Sequence, residues 1–514
     1  MKKIILSVLS LLLINMSCDQ EELEKLNINP QALNEIDMNF LLTSAQLGTA
    51  SGGNRGDNRY IDWRTNIGMF GHAIQQIANA GGGIAPGDKY NQDNNEVNAA
   101  PWDFMYNGVL QELSEIIIQT GPGGFQEGVR ENTRQAARIL RAYAFMRLTD
   151  YFGNVPYTEA LKGRTDGIFF PKYDSQQAVY TDIMKEVSEA TKAMNGSITG
   201  DGFAGADLFY DGDVSKWKKF GNSLLLRMAM RVSNVDPALT SKYASEAISG
   251  GLMTDVSDRA MIKTDLGPSE WTNQNGISRA FANGDGGQPS PLSATLVNWL
   301  KAKNDPRLMI YSGGVGGIDM DPANQIGLPN GLDTGTLQDF LGKTGANPMV
   351  EFSNINILLL DDDEDYAFMN LSEVHFLLAE AAERGIGGAT GAAAHYNAGV
   401  KAALQEWENY DASFAVSDAE VATYLAANPY AGLASIGEQM WASKFFNWWE
   451  AWSDWRRTGF PALTPVVYQG NITGGTIPRK LRIPNAELST NPDNFQSGAT
   501  LPNEYTTRVW WDVN

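Results

Sequence analysis

Apolar residues recur at helical spacing through most of this chain. Between 37 and 50, Met38, Leu41, Leu42, Ala45 and Leu47 share one face, and between 60 and 80 a stripe runs through Trp63, Ile67, Phe70, Ile74 and Ile77. Residues 81–100 are polar and rich in Gly and Asn and read as a loop; helical spacing resumes over 102–119. Thr133 is placed to cap a helix reaching Tyr151, with Ala137, Leu140, Ala144 and Leu148 on one side. Segments 174–194 and 214–232 look alike, and Pro237 suits the first turn of another helix. From 257 to 367 the character changes: Gly, Pro, Asn and Asp dominate, and short apolar pieces such as 355–360 suit brief strands. Helical spacing returns at 367–384, 395–408, 418–426 and 435–457, before a Pro-rich end from Thr458. Antiparallel helices of these lengths predict a mainly α, tetratricopeptide-like helical-repeat scaffold. The expectation rests on helix length, because the ~34-residue signature of such repeats is only loosely echoed. Helices on both sides of the loop-rich stretch make it an insertion in one domain, and a loop region that long points to function.

The first residues follow another pattern. Lys2 and Lys3 precede the apolar run 4–14, and small Ser17 precedes Cys18, the single cysteine. The run is shorter than the ~20 residues a spanning helix needs and suits a cleaved export signal. Asn15-Met16-Ser17-Cys18 resembles a bacterial lipobox, in which the cysteine becomes the acylated first residue. The expected division is a signal peptide at 1–17, lipidated Cys18 with a polar tether at 18–37, and one domain from 38 to 514. At about 0.8 kcal/mol per buried methylene, two or three acyl chains anchor firmly. With Cys18 acylated, disulfides and cysteine-based metal sites are excluded from the mature chain.

Composition narrows the function. A net charge of -21 argues against nucleic acid and against polybasic attachment to anionic lipid. The 13 Trp, 18 Tyr and 21 Phe belong to a globular chain with much ring surface. The three histidines, His72, His375 and His395, show no metal-ligand spacing along the sequence; HExxH and GxSxG are absent. The run 361–365 could offer oxygen ligands to calcium but lacks EF-hand spacing, so a solvated acidic loop is the plainer expectation. Binding chemistry is better supplied. A sugar ring has an apolar face for aromatic stacking and a polar edge for amides and carboxylates. Two loops combine these residue types: 86–102, with Tyr90, Asn94 and Trp102, and 269–288, with Trp271, Asn273 and Asn275. Trp448, Trp449, Trp452 and Trp455 follow helical spacing and are expected in the core.

Four segments in order are similar to those of the SusD/RagB family of outer-membrane nutrient-binding lipoproteins. They are DYFGNVPYTEA at 150–160, NDPR at 304–307, MNLSEVHFLLAEA at 369–381, and WSDWRRTGFP at 452–461 followed by IPRKLRIP at 477–484. The early NINP at 27–30 also fits, whereas Ile483 stands where a tyrosine is more usual. Physically the motifs read as scaffold: Gly153 and Pro156 end a helix, Arg456 and Arg457 suit a helix C-terminus, and Arg479, Lys480 and Arg482 could pair with Glu373 and Glu380. The resemblance implies about four helix pairs supporting a loop-rich ligand face. It implies no enzyme activity and no cofactor. It implies capture of an oligomeric nutrient, most simply a glycan, at the cell exterior, and delivery to a SusC-like TonB-dependent transporter. An oligopeptide-binding member of the family and a lipid-anchored glycoside hydrolase are the alternatives.

Overall fold

The computed structural model describes residues 36–51, 59–81, 87–91, 95–267, 273–281, 291–315, 319, 321–344 and 348–514. Its principal helices are α1 (Met38–Ser51), α2 (Asn95–Phe104), α3 (Leu110–Gln119), α4 (Glu131–Phe152), α5 (Gln176–Ala193), α6 (Val214–Arg231), α7 (Pro237–Gly250), α8 (Gly276–Phe281), α9 (Leu371–Glu383), α10 (Ala392–Gln405), α11 (Asp418–Ala427), α12 (Leu433–Ser443) and α13 (Trp448–Thr458). Consecutive helices pack as the pairs α4–α5, α6–α7, α9–α10 and α12–α13, and α6 joins the first pairs to α9. This is the mainly helical, tetratricopeptide-like scaffold that the periodicity predicts. α5 and α6 are capped by Ser175 and Asp213, whose side chains accept from the first free backbone N–H groups. α4 begins before Thr133; that hydroxyl instead donates to Asn39 on α1 at 2.6 Å. Gly153 ends α4 at φ 81°, where a side chain would also strike Thr500.

Strands are few and short. β1 (Val155–Pro156) pairs with β2 (Tyr173–Asp174), β3 (Ala260–Ile262) with β6 (Tyr366–Met369), and β4 (Ser312–Val315) with β5 (Ser353–Ile355), each antiparallel. The β3–β6 ribbon joins the two ends of the loop-rich insertion, so the chain leaves and re-enters the helical scaffold at one place. Residues 366–369 are therefore strand, where the periodicity predicts a helix from 367, and α9 starts at Leu371. The expected helix over 435–457 is two helices, broken at 444–447, where Phe446 has φ 70°.

Between α6, α9 and α13 lies a buried ionic network. Arg227 holds Glu373 through two bonds, Arg231 contacts Glu450, Asp454 and Asp150, and Lys444 reaches Glu373 and Asp454. Arg457 pairs with Glu380 at 2.5 and 2.7 Å, beside Arg384. Arg479, Lys480 and Arg482 do not reach these carboxylates: Arg479 pairs with Asp512, while Lys480 and Arg482 bind Asn503 and nearby carbonyls. Arg227, Arg231 and Arg457, from α6 and α13, pair with Glu373, Glu450 and Glu380 instead. Arg456 lies flat on Trp452, 3.4 Å from the ring centroid, and donates to the Asp150 and Arg479 carbonyls. All four tryptophans of α13 are buried, as expected.

Candidate ligand-binding face

Asp62–Gly71 is a ten-residue π-helix, a form that usually lasts one turn and often marks a functional site. Its polar side chains fasten it to neighbours. Asn66 donates to Asp62 at 2.9 Å and to the Phe446 carbonyl at 2.9 Å, and it accepts from the Trp449 N–H at 3.1 Å. That last bond caps α13, whose own Asn447 supplies none. Tyr366 on β6 donates to Asp62 at 3.0 Å.

Along its other side runs the segment that carries residues 92–94. Gly87 lies against Gly68 and Met69, Arg64 pairs with Glu96 at 3.0 Å, and Thr65 donates to the Val97 carbonyl at 2.7 Å. Pro101 removes the N–H that would have bonded Val97, so Thr65 takes its place and the helix continues. This is why α2 starts at Asn95 inside a stretch that reads as loop. α8 packs on the same π-helix, and its Phe281 meets Trp448 edge-on at 6.4 Å. Just beyond the π-helix, Ala78 donates to the Pro291 carbonyl at 3.1 Å. The anchors of residues 82–86, 92–94 and 282–290 thus converge on one element, and Asp265 and Asn273 close the base of 268–272 with a 2.9 Å backbone bond.

The rim is aromatic and charged. Half-buried Trp63 has the Arg64 guanidinium 4.0 Å and that of Arg59 4.9 Å from its ring. Asp88 and Lys89 are buried beneath the surface: Asp88 accepts from Gly331 N–H at 2.9 Å and from Lys89 at 3.3 Å, and Lys89 also donates to the Asn79 carbonyl. The stripe reading places Trp63 in the core; the arginines at 59 and 64 were the available signal that it borders solvent.

Cys18, Asn94 and Trp271 lie outside the described residues. Asn273 is half-buried at the base of its loop. Three candidates are buried and engaged in packing or hydrogen bonds. Tyr90 is 1% exposed; its carbonyl accepts from Ile472 and its hydroxyl from Val466, pinning the turn to the C-terminal segment, and burial pushes the phenol up to about 12. Asn275 is buried, caps α8 through Ile277 and Ser278, and donates to the Glu364 carbonyl. Trp102 is 8% exposed and packs edge-on to Phe152 at 5.1 Å.

In the acidic run, burial and then the neighbouring Asp361, Asp365 and Asp363 push Glu364 up to about 8. Among the described residues, the one group of three or more acidic or imidazole ligands gathered within 4.8 Å is Glu373, Glu450 and Asp454. Arg227, Arg231 and Lys444 already occupy that space. His72 is buried with Nδ1 2.6 Å from the Ile67 carbonyl. The absence of histidine spacing along the chain is misleading in space: His375 on α9 and His395 on α10 face each other, Nδ1 to Nδ1, at 3.4 Å.

These features define a tetratricopeptide-like scaffold that carries a loop-bearing face. The chain belongs to the SusD-like family, whose model, described as "Starch-binding associating with outer membrane", matches residues 30–484. A solved chitin-binding protein is 31% identical at TM-score 0.78, with 93% of this chain and all of that one covered. A SusD homolog from Bacteroides uniformis is 25% identical at TM-score 0.75, covering 92% and 100%. A chitin-binding SusD homolog from Flavobacterium johnsoniae is 24% identical at TM-score 0.74, covering 93% and 98%, a likeness of fold. No curated protein matches significantly. Among the described residues no helix is long and apolar enough to cross a membrane.

Proposed function

We propose that this protein is an outer-membrane lipoprotein, held at the cell exterior by acylated Cys18, that binds a chitin-type glycan and passes it to a SusC-like TonB-dependent transporter. The observation that carries the ligand class is the 31% identical relative, matched over its whole length and named a chitin-binding protein. The chemistry of the described face is compatible: half-buried Trp63, with Arg59 and Arg64 beside its ring, belongs to the π-helix on which the anchors of 82–86, 92–94 and 282–290 converge. Members of this family bind rather than turn over their ligands, and the buried carboxylates Glu373, Glu380, Glu450 and Asp454 are committed to arginine and lysine partners.

Gel retardation and calorimetry with chitin oligomers, starch and oligopeptides test the ligand. Retention by chitin oligomers, lost in Trp271→Ala, is expected. Binding to oligopeptides alone would move the protein to the family's peptide-binding branch. Release of Cys18→Ser from the membrane fraction tests the anchor, and co-purification with a transporter tests the partner.

A further inference from the structure

A small, partly enclosed cavity of about 30 Å³ lies beside the π-helix. It is lined by β6 at the neck of the insertion, the start of α8, the turn at 406–410 and the break between α12 and α13. Two of its lining residues also hold the π-helix: Tyr366 donates to Asp62, and the Phe446 carbonyl accepts from Asn66. The cavity therefore shares walls with the element on which the loop anchors converge. Its polar groups are incompletely satisfied. Arg259 is 9% exposed and pairs with no carboxylate among the described residues. Its Nε and Nη1 donate to the Val256 and Glu406 carbonyls at 3.1 and 3.2 Å, and Nη2 has no hydrogen-bond partner among the described residues. Half-buried Asn447 makes no side-chain hydrogen bond to them either, and its Oδ1 is buried. The Asn370 Oδ1 is likewise buried and unpartnered. Ile277, Leu359 and Phe445 supply an apolar wall.

Buried polar atoms are almost always hydrogen-bonded. One free donor and two free acceptors on the same cavity therefore call for a guest that carries both an acceptor and a donor. The apolar wall asks that the guest also have an apolar end. The room is that of about two or three waters, or of one small organic group. Charge is unwelcome there, because burial already raises the carboxyls of Asp365 and Glu406, which line the same space. An acetamido group meets each requirement with its carbonyl oxygen, its N–H and its methyl. We propose that this cavity seats the acetamido group of one N-acetylated sugar unit. Arg259 donates to its carbonyl oxygen, the two asparagine oxygens accept from its N–H and the adjoining sugar hydroxyl, and the methyl lies against Phe445 and Ile277. A glycan with a hydroxyl or an ammonium at that carbon fills the cavity poorly. This inference rests on the glycan-binding reading and names the substituent that is selected.

The test is calorimetry on the full chain with chitin, chitosan and cellulose oligomers of equal length, which carry acetamido, amino and hydroxyl groups at the same carbon. The chitin oligomer is expected to bind about tenfold more tightly than either of the others, the scale of one or two hydrogen bonds. Saturation-transfer NMR should show its acetyl methyl as the closest contact. Asn447→Ala removes an acceptor that no described residue uses, and Ala367→Val takes up space in the cavity from β6. Each should abolish the preference for the acetamido group. A melting curve verifies folding, and Asn447→Ala decides alone if the valine is not tolerated. Equal or weaker affinity for the chitin oligomer, or a preference that survives Asn447→Ala and Ala367→Val in folded protein, overturns the proposal. Failure of all three oligomers to bind would remove the glycan reading itself, and the inference with it.

Discussion

Arg227 and Glu373, 146 positions apart, form a two-pronged ion pair at 2.6 and 2.7 Å with both side chains buried. The same guanidinium donates to the Phe368 carbonyl at 2.9 Å, so one residue of α6 locks α9 and the β6 strand that closes the insertion. Removing one partner of a buried pair strands the other charge and typically costs about 3–5 kcal/mol. Lys444, 3.3 Å from Glu373, relieves part of this. Arg227→Met should therefore destabilise by about 3 kcal/mol in denaturant titration. Adding Glu373→Leu should recover part of the loss. Equal stability of Arg227→Met and wild type would mean the network contributes little.

Glu406 is a buried carboxyl without a full ion partner. Ser372 donates to it at 3.1 Å, and it borders a small cavity that Asn370 and Asn447 also line. Burial, only partly offset by Arg259, pushes it from 4.5 to about 7. The folded chain therefore holds a proton that the unfolded chain has released between about pH 4.5 and 7, and stability from this group falls as pH rises through that window. Glu406→Gln, neutral throughout, should equal wild type near pH 5 and exceed it at pH 8 by on the order of 2 kcal/mol. Chemical denaturation at the two pH values measures this; a gap that narrows at high pH would contradict it.

The facing imidazoles give the opposite sign. Phe376 seats on Gly399, where any side chain would come within 2.7 Å of the ring, so α9 and α10 are pinned beside His375 and His395. Burial first, and then His395, push His375 from 6.5 to about 4. As pH falls from about 6.5 toward 4, the unfolded chain takes up a proton that the folded chain refuses, and stability is lost. His375→Gln should lose less of its melting temperature between pH 7.5 and 5 than wild type does. An equal loss in both proteins would show that the pair is not responsible.

The helical scaffold was legible because burial on one face imposes a 3.6-residue period, and α4 through α7 follow it closely. Three departures have tertiary causes. α2 survives Pro101 because Thr65, 36 positions earlier, satisfies Val97. α12 and α13 separate where Lys444 is drawn into the acidic cluster and Phe446 gives its carbonyl to Asn66. Residues 366–369 are strand because β3 lies beside them. The site was less legible for a related reason. Loop composition marks which residue types are near a ligand face, but Tyr90, Asn275 and Trp102 are consumed by hydrogen bonds and packing that bring distant segments together.

Gly87 links the scaffold to the face most directly. A side chain there would come within 2.4 Å of the Gly68 carbonyl oxygen and 2.8 Å of the Met69 Cα, both backbone atoms of the π-helix. Backbone cannot swing aside as a side-chain tip can, so the turn itself must shift. Overpacking of this kind costs about 1–3 kcal/mol. Gly87→Ala should lower the melting temperature and, because Tyr90 and the 92–94 segment follow within a few residues, weaken glycan binding as well. Gly205→Ala provides the comparison: it has open space around it in a short helix, and should leave binding intact with stability unchanged or raised by about 0.5–1 kcal/mol. Hydrogen exchange should show faster opening of residues 87–91 in Gly87→Ala only. If both variants melt and bind alike, the close approach of the turn to the π-helix does not shape the face.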